Sequence, residues 1–459
     1  MKRYLLAAEA DKIQDFIFRS AHLRQVVGGS QLLTRFSSRE QGALSCLGIS
    51  NADLIVSGGG SFRIAFDDEK RAIEIGRQLA EVYQRTAGSS LTVIPNPEPF
   101  DDQDSQSFAD ASKKAQEHLR TAKLFRGDYF AVEHIPYMAF CASCGVGLAT
   151  AHVKRNEHAR IAQYLCNACQ AKGHERIQES LGEFLLPFVE KVMDNHDPTA
   201  AIWPGKHRFG MNRELDPTSD LASYDRRRYV AYLKADGNNI GKIFSVCGQA
   251  AMRTLSDKMT DILRTCLAEA TQLLKKQSEI RLDVPVLPLI LGGDDLFALL
   301  PAPWALDFTR QFCLLFEERM TAEVNQLPLL NRQNIPERIT ITAAIVICKE
   351  SYPFYLAHGI AENLLKNAKR VTKGLTKEKD QIRSIVDFQV ILGSQVQSEQ
   401  NDAQYRATLR PYWVSNDTPP QGWGLPLHDF WNSAMNYVRL QANAVLNYAN
   451  SIIPQCYIG

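Results

Sequence analysis

No stretch of about 18 consecutive apolar residues occurs in the 459-residue chain, so none of it reads as a membrane span. An excess of charge of one sign is missing too. Lys and Arg number 52 and Asp and Glu 51, a net charge of +1. That excludes a uniformly basic nucleic-acid coat, though not a local basic groove. A disulfide framework is also lacking: of ten cysteines, four cluster and six scatter, which suits a reducing compartment with one metal site and no disulfide partner. The opening MKRYLLAAEADKIQDF has only a short apolar run before Glu9, Asp11 and Lys12, too short for a secretory signal. A cytoplasmic protein is expected. With 45% hydrophobic and 22% charged residues, wholesale disorder is excluded. At roughly 150 residues per domain, the length suggests about three domains.

Two segments share one layout. The first runs from an apolar strand at Tyr4–Ala8 through a long helical stretch, Ile13–Phe36. It continues with Leu54–Val56, the turn Ser57-Gly58-Gly59-Gly60-Ser61, a strand to Phe66, a helix over Glu69–Gln84 and a strand at Leu91–Ile94. The second runs from strand Tyr229–Ala235 to a helix over Met252–Leu274, then strand Val284–Leu291 and the turn Gly292-Gly293-Asp294-Asp295. Strand Leu296–Leu300, helix Ala305–Val324 and strand Thr340–Ile347 complete it. Both read β-α-β-β-α-β, the ferredoxin-like order of polymerase and nucleotide-cyclase palms, in an α+β protein. The expected division is a degenerate first palm at 1–130, a treble-clef zinc domain at 131–195, a linker at 196–228, a catalytic palm at 229–395 and a helical segment at 396–459. Asn96–Ser107 reads as a polar loop, and the tail as irregular and then helical over His428–Tyr448.

The strongest local signal is Cys141-Ala-Ser-Cys144 followed by Cys166-Asn-Ala-Cys169. Each C-x-x-C presents two thiolates from one knuckle, and two knuckles supply the tetrahedral sulfur set that zinc prefers. No ligand position is left open, so a structural zinc is expected and no catalysis at it. His152, His158 and His174 read as surface residues.

The turn Gly292-Gly293-Asp294-Asp295 joins two apolar strands. Adjacent acids there repel and lose hydration, and a divalent cation relieves both costs. Asp236 ends the first strand of the same unit, beside the hairpin in a ferredoxin-like sheet. Asp236, Asp294 and Asp295 can therefore converge in the carboxylate arrangement of two-metal phosphoryl transfer, with Mg²⁺ or Mn²⁺. Gly237-Asn238-Asn239-Ile240-Gly241 then forms a turn into a helix whose N–H groups suit a triphosphate. Lys366, Lys369 and Lys373 share one helix face opposite Ile360, Leu364, Leu365 and Ala368, and read as phosphate ligands beside such a site. With the acid pair expected on an exposed tip, its removal should barely disturb folding. The first copy has Gly58-Gly59-Gly60-Ser61 instead of the acids and keeps Asp11 at the end of its first strand. It reads as catalytically degenerate, and Gly59, Gly60 and Ser61 could hold a second nucleotide. His196-Asp197 and His428-Asp429 read as chance dipeptides.

In this order, Ile13-Gln14-Asp15-Phe16-Ile17-Phe18, the Gly-rich first palm, the four cysteines, the Asp-Gly turn and the G-G-D-D palm resemble the large subunit of type III CRISPR effector complexes. That family is Cas ten, with its Cmr-two and Csm-one branches. Leu365-Lys366-Asn367-Ala368-Lys369, Val386-Asp387-Phe388 and Leu409-Arg410-Pro411-Tyr412 look similar to it as well, so the resemblance covers nearly the whole chain. It implies conversion of ATP into cyclic oligoadenylate through 3′–5′ bonds, and other effector subunits with guide and target RNA as partners. The chain departs from the family's pattern in two respects. The palm begins within ten residues of Met1, so no HD-type DNase is expected, and Asn238 stands where many relatives have a second Asp. The short C-terminal segment also leaves a stand-alone cyclic (di)nucleotide synthase open, and a non-catalytic scaffold is the rival outside the enzyme class.

Overall fold

The computed structural model describes residues 2–20, 23–39, 42–125, 138–154, 162–174, 182–194, 196–205, 217–278, 280–374, 383–392 and 411–414. Short, continuously buried apolar runs and a Gly-rich hairpin build the first sheet. Its elements are β1 (Lys2–Ala10), α1 (Ile13–Phe18), α2 (Leu23–Ser37), α3 (Ala43–Cys46), β2 (Leu54–Gly58), β3 (Ser61–Phe66), α4 (Glu69–Ala87) and β4 (Leu91–Val93). Next come β5 (Glu98–Asp101) and α5 (Ser105–Phe125). The strand order is β2-β3-β1-β4, with β5 also pairing β1. This is the ferredoxin-like order expected from the sequence. Asp68 caps α4 by accepting from the Arg71 N–H, and Gly88 ends it in the left-handed region.

A small hairpin, β6 (Ala151–Lys154) and β7 (Ala162–Leu165), leads into α6 (Asn167–His174) and α7 (Gly182–Met193). After α8 (Pro217–Ala222) the second palm begins with β8 (Tyr229–Gly237), α9 (Ile240–Phe244), α10 (Gln249–Gln277), β9 (Leu287–Gly292) and β10 (Asp295–Pro301). It continues with α11 (Ala305–Gln326), β11 (Ile341–Lys349), α12 (Phe354–Gly374), β12 (Ser384–Val390) and β13 (Tyr412–Val414). The order β9-β10-β8-β11 repeats that of the first palm, and β12, parallel to β11, and β13 extend it.

The two palms pack reciprocally. Helix α2 of the first lies against β9 of the second, and α10 of the second against β2 of the first. One buried apolar cluster runs through both. Helix α1 is the hinge pin. Its Phe18 inserts into the second palm, edge-on to Phe297 at 5.1 Å and over His358 at 4.0 Å between centroids. Its Phe16 carbonyl accepts a hydrogen bond from Lys172 of α6.

Several sequence expectations are corrected. The single helix Ile13–Phe36 is two, because the chain turns at Ser20, whose hydroxyl meets that of Ser143 at 3.0 Å. The polar loop at Asn96–Ser107 contains β5, the linker contains α8, and the irregular tail contains β13. The helix read over His428–Tyr448 lies outside the described residues, as do His158, Leu409 and Arg410.

Truncating Phe18 removes a ring packed between the palms. Phe18→Ala is expected to cost about 3–5 kcal/mol of stability, measured by denaturant unfolding. A loss under about 1 kcal/mol would mean that the palms are held together elsewhere.

Candidate active site

Strand pairing sets the site. Asp295 opens β10 opposite both Asp236 of β8 and Gly292 of β9. Residues paired across strands share a face, so the Asp236 and Asp295 side chains are neighbours. Asp294 sits in the turn beside them, and its carbonyl accepts from the Gly237 N–H at 3.3 Å. A Cβ on Gly237 would stand 3.0 Å from the Asp294 Cβ and 3.1 Å from its Oδ2. Glycine there lets the carboxylate draw up to the strand end.

Each acid has its own partner. Lys369 of α12 pairs with Asp236 Oδ2 at 2.6 Å and donates to the Gly237 carbonyl at 3.2 Å. Gln14 Nε2, from α1 of the first palm, donates to Asp295 Oδ2 at 3.1 Å. Asp295 Oδ1 is buried and has no hydrogen-bond partner. The tip is therefore not exposed, in contrast to the sequence expectation, because the first palm covers it. Burial, then the charge of Asp236, pushes the Asp294 carboxyl up to about 7. Burial raises Asp295 as well, with Lys234 pulling the other way and Asp236 adding to the rise. The three carboxylates do not form as tight a group as the cysteines. Among the described residues, only the four cysteines bring such ligand atoms within 4.8 Å of one another. Lys369 holds Asp236 and Gln14 holds Asp295, and the acids repel.

The first palm's turn faces this one. A Cβ on Gly59 would lie 3.9 Å from the Gly292 carbonyl carbon, so the two Gly-Gly turns approach backbone to backbone. Between the palms lies a cavity of about 900 Å³ lined by both turns, Gln14, Asp295, Arg39 and Arg264, among others. Register also corrects the matching of the palms. Ser61 pairs with Gly58 and Glu9 as Asp295 pairs with Gly292 and Asp236. Glu9, not Asp11, is thus the counterpart of Asp236, and Lys123 pairs with it at 2.8 Å. Asp11 instead accepts from the Ser90 and Thr92 hydroxyls.

In the Gly237–Gly241 turn, Asn238 is buried. It donates to the Thr340 hydroxyl at 3.0 Å and accepts from that of Thr342 at 2.9 Å, so its side chain braces β8 against β11. Asn239 adopts φ 61° and Ile240 is buried. Gly241 has open space at its Cα, and the Gly293 N–H donates to Thr260. Lys366 is exposed and pairs with Glu362 at 3.4 Å, while the side chain of Lys373 lies outside the described residues.

Sequence reasoning missed what stands behind Asp295. Lys234 of β8 is almost wholly buried. It pairs with Glu362 Oε2 at 2.6 Å, donates to Gln14 Oε1 at 3.1 Å and lies 3.4 Å from His358 Nε2. Burial and the Lys234 charge push His358 down to about 3, so its ring is neutral. Burial works to raise the Glu362 carboxyl, but the adjacent Lys234 outweighs it and holds the group below its usual range. A lysine inside an apolar strand run was the only available signal.

Cys141, Cys144, Cys166 and Cys169 form one cluster, three of them buried. The knuckle closes through Gly145 N–H to the Cys141 carbonyl at 2.9 Å and Gly147 N–H to Cys144 Sγ at 3.4 Å. Cys144 and Cys166 sulfurs lie 3.8 Å apart, the spacing of co-ligands and not of a disulfide. Four thiols with no nitrogen or oxygen donor fit zinc. His152 stacks on Tyr164 at 4.3 Å, outside the cluster. His196 bonds to the Met193 carbonyl.

Residues 229–382 match the family of Cas10/Cmr2 second palm domains. No curated protein matches the chain by sequence. Among solved structures, a Csm1-Csm4 cassette in complex with cA4 is 16% identical with a TM-score of 0.52, covering 86% of this chain and 55% of that one. The apo cassette gives 16% and 0.51, with 86% and 55% covered. Csm1 of T. onnurineus gives 15% and 0.50, with 84% and 53% covered. The chain thus spans about half the length of the Csm1 chains it matches. Its second palm is of the Cas10/Cmr2 type, and its fold is shared with Csm1. No helix among the described residues is long and apolar enough to cross a membrane.

Elemental analysis is expected to find one zinc per chain, bound at about 2.3 Å per sulfur. Cys144→Ser should lower the melting temperature of the whole protein, since metal binding here is folding free energy. Zinc-free protein that melts like wild type would contradict this. A second expectation concerns Asp294. Its folded pKa lies above the unfolded value of 3.8, so its charge costs stability at higher pH. Asp294→Asn should therefore melt above wild type in the absence of divalent cations at pH 8. The gap should narrow below about pH 7 and close below 3.8.

Proposed function

We propose that the chain is a nucleotidyltransferase that joins ATP through 3′–5′ bonds into cyclic oligoadenylate within a type III CRISPR-type effector complex. The observation that carries this reading is the intact Gly292-Gly293-Asp294-Asp295 turn paired with Asp236 and set against the first palm's Gly-Gly turn across the inter-palm cavity. The Cas10/Cmr2 match to this palm supports it, as does the fold shared with a Csm1-Csm4 cassette solved with cA4. Other effector subunits, with guide and target RNA, would be its partners.

Asp236, Asp294 and Asp295 would hold Mg²⁺ or Mn²⁺. The orphaned, buried Asp295 Oδ1 and the raised carboxyls fit that role, since burial outweighs the relief that Lys369 gives Asp294 and Lys234 gives Asp295. When bound, the cations supply activation of a 3′-hydroxyl and neutralisation of phosphate charge. The chain's own part is placement. Lys369 of α12, paired with Asp236, would meet a phosphate, and Lys366 and Lys373 of the same helix would be further phosphate ligands. The N–H groups of Gly237, Asn238 and Gly293 are engaged within the chain, so those of Asn239, Ile240 and Gly241 at the start of α9, beside Gly292, would line the donor triphosphate, and Gly59, Gly60 and Ser61 would seat the second nucleotide. The acceptor oxygen bonds to the α-phosphorus, the bond to the bridging oxygen breaks, pyrophosphate leaves and the hydroxyl proton passes to water. No protein nucleophile takes part.

The test is incubation with ATP, GTP and Mn²⁺, with and without target RNA and partner subunits, with products resolved by mass. Adenylate-only cyclic products are expected. Changing Asp294 and Asp295 together to Ala should slow their formation by about 10²–10³ or more. Product at the wild-type rate from that variant overturns the site assignment. No product under any condition makes the chain a non-catalytic scaffold.

A further inference from the structure

Resting on the metal-site reading above, we propose that Gln14 of the first palm is a positioning residue for Asp295 of the second. It acts as a neutral spacer that fixes the carboxylate and keeps the buried Lys234 from pairing with it directly.

The carboxamide stands between opposite charges. Its Nε2 donates to Asp295 Oδ2 at 3.1 Å and its Oε1 accepts from Lys234 Nζ at 3.1 Å. An ammonium only donates and a carboxylate only accepts, so the amide has one workable orientation. Gln14 therefore engages one oxygen of Asp295 and leaves the other, Oδ1, buried and without a partner. That is the lone pair a cation would take.

Lys234 explains why a spacer is needed. It is buried on β8, three residues from the strand's end, among Glu362, His358 and Gln14. It is near enough to act on the charge of Asp295. A direct Lys234–Asp295 ion pair would compete with any divalent cation for the carboxylate. Glu362 already neutralises Lys234, and the amide fills the gap between the ammonium and Asp295. Its position is not adjustable, because Phe18, one helical turn on, is clamped between Phe297 and His358. The same helix end is tied to the cysteine module by Lys172, which donates to the Phe16 carbonyl. The first palm, though it lacks the acid pair, thus supplies a part of the second palm's metal site.

The test is Mn²⁺ binding to the zinc-loaded full chain, followed by electron paramagnetic resonance of free Mn²⁺, with melting temperature in chelator as the folding control. Gln14→Ala and Gln14→Met, the latter keeping the side chain's length, are each expected to weaken Mn²⁺ binding by about tenfold, the range found when a group orienting a metal ligand is lost. Their chelated melting temperatures should stay near wild type. Adding Lys234→Met to Gln14→Met should restore most of the affinity, because the competing ammonium is gone; Lys234→Gln takes its place if the double variant does not fold. Wild-type affinity in both single variants overturns the inference, as does a loss that removing the Lys234 charge fails to recover. Wild-type protein whose Mn²⁺ binding does not depend on Asp294 and Asp295 overturns the metal-site reading itself.

Discussion

Like charges crowded at a half-buried strand end govern this molecule. Asp236, Asp294 and Asp295 meet where two palms close on each other, and the carboxyls of the last two are raised, first of all by burial. Such an arrangement costs stability unless cations answer it. Lys369 answers Asp236 from within the chain, and a neutral amide with a lysine behind it answers one oxygen of Asp295. What remains is Asp294, relieved only in part by its own backbone N–H and the Lys369 charge, and the buried Asp295 Oδ1. The rest of the structure holds that imbalance in place. The reciprocal packing of α2 on β9 and α10 on β2 keeps the palms closed, and α1 crosses between them.

The internal two-fold layout gives the first palm a role despite its missing acids. Register aligns Ser61 with Asp295 and Glu9 with Asp236, and each strand-end acid carries its own lysine, Lys123 or Lys369. The first palm thus has the same acid–lysine pair at its strand end and lacks the acids at its turn. In exchange it contributes α1. Phe18 anchors that helix in the second palm, Phe16 receives Lys172 from the cysteine module, and Gln14 reaches Asp295. Three parts of the chain converge on six residues.

Much of this was legible in the sequence because it is local. Apolar spacing revealed both β-α-β-β-α-β units, and the Gly-Gly turns and cysteine knuckles are short motifs whose geometry follows from residue type. What depends on pairing was not legible. Asp11 looks like the strand-end acid of the first palm, and only the register, which a one-residue shift would change, selects Glu9. Asn238 reads as part of a phosphate loop, yet Thr340 and Thr342, a hundred residues on, turn it inward. The strand β5 hides in a polar segment because it pairs at the edge of β1, and its alternate residues face solvent. Lys234 and Gln14 carry no motif at all, since their meaning comes from 220 residues of intervening chain brought back to one point.

On the function proposed above, the turn acids and Asp236 form a divalent-cation site between the palms. Anomalous scattering from crystals grown with Mn²⁺ and a non-hydrolysable ATP analogue tests it most directly. Manganese peaks are expected within coordination distance of carboxylate oxygens of Asp236, Asp294 and Asp295, with Asp295 contributing Oδ1 while Oδ2 keeps its bond to Gln14. A map with manganese elsewhere, or with none beside these three aspartates while the nucleotide is bound, would contradict it.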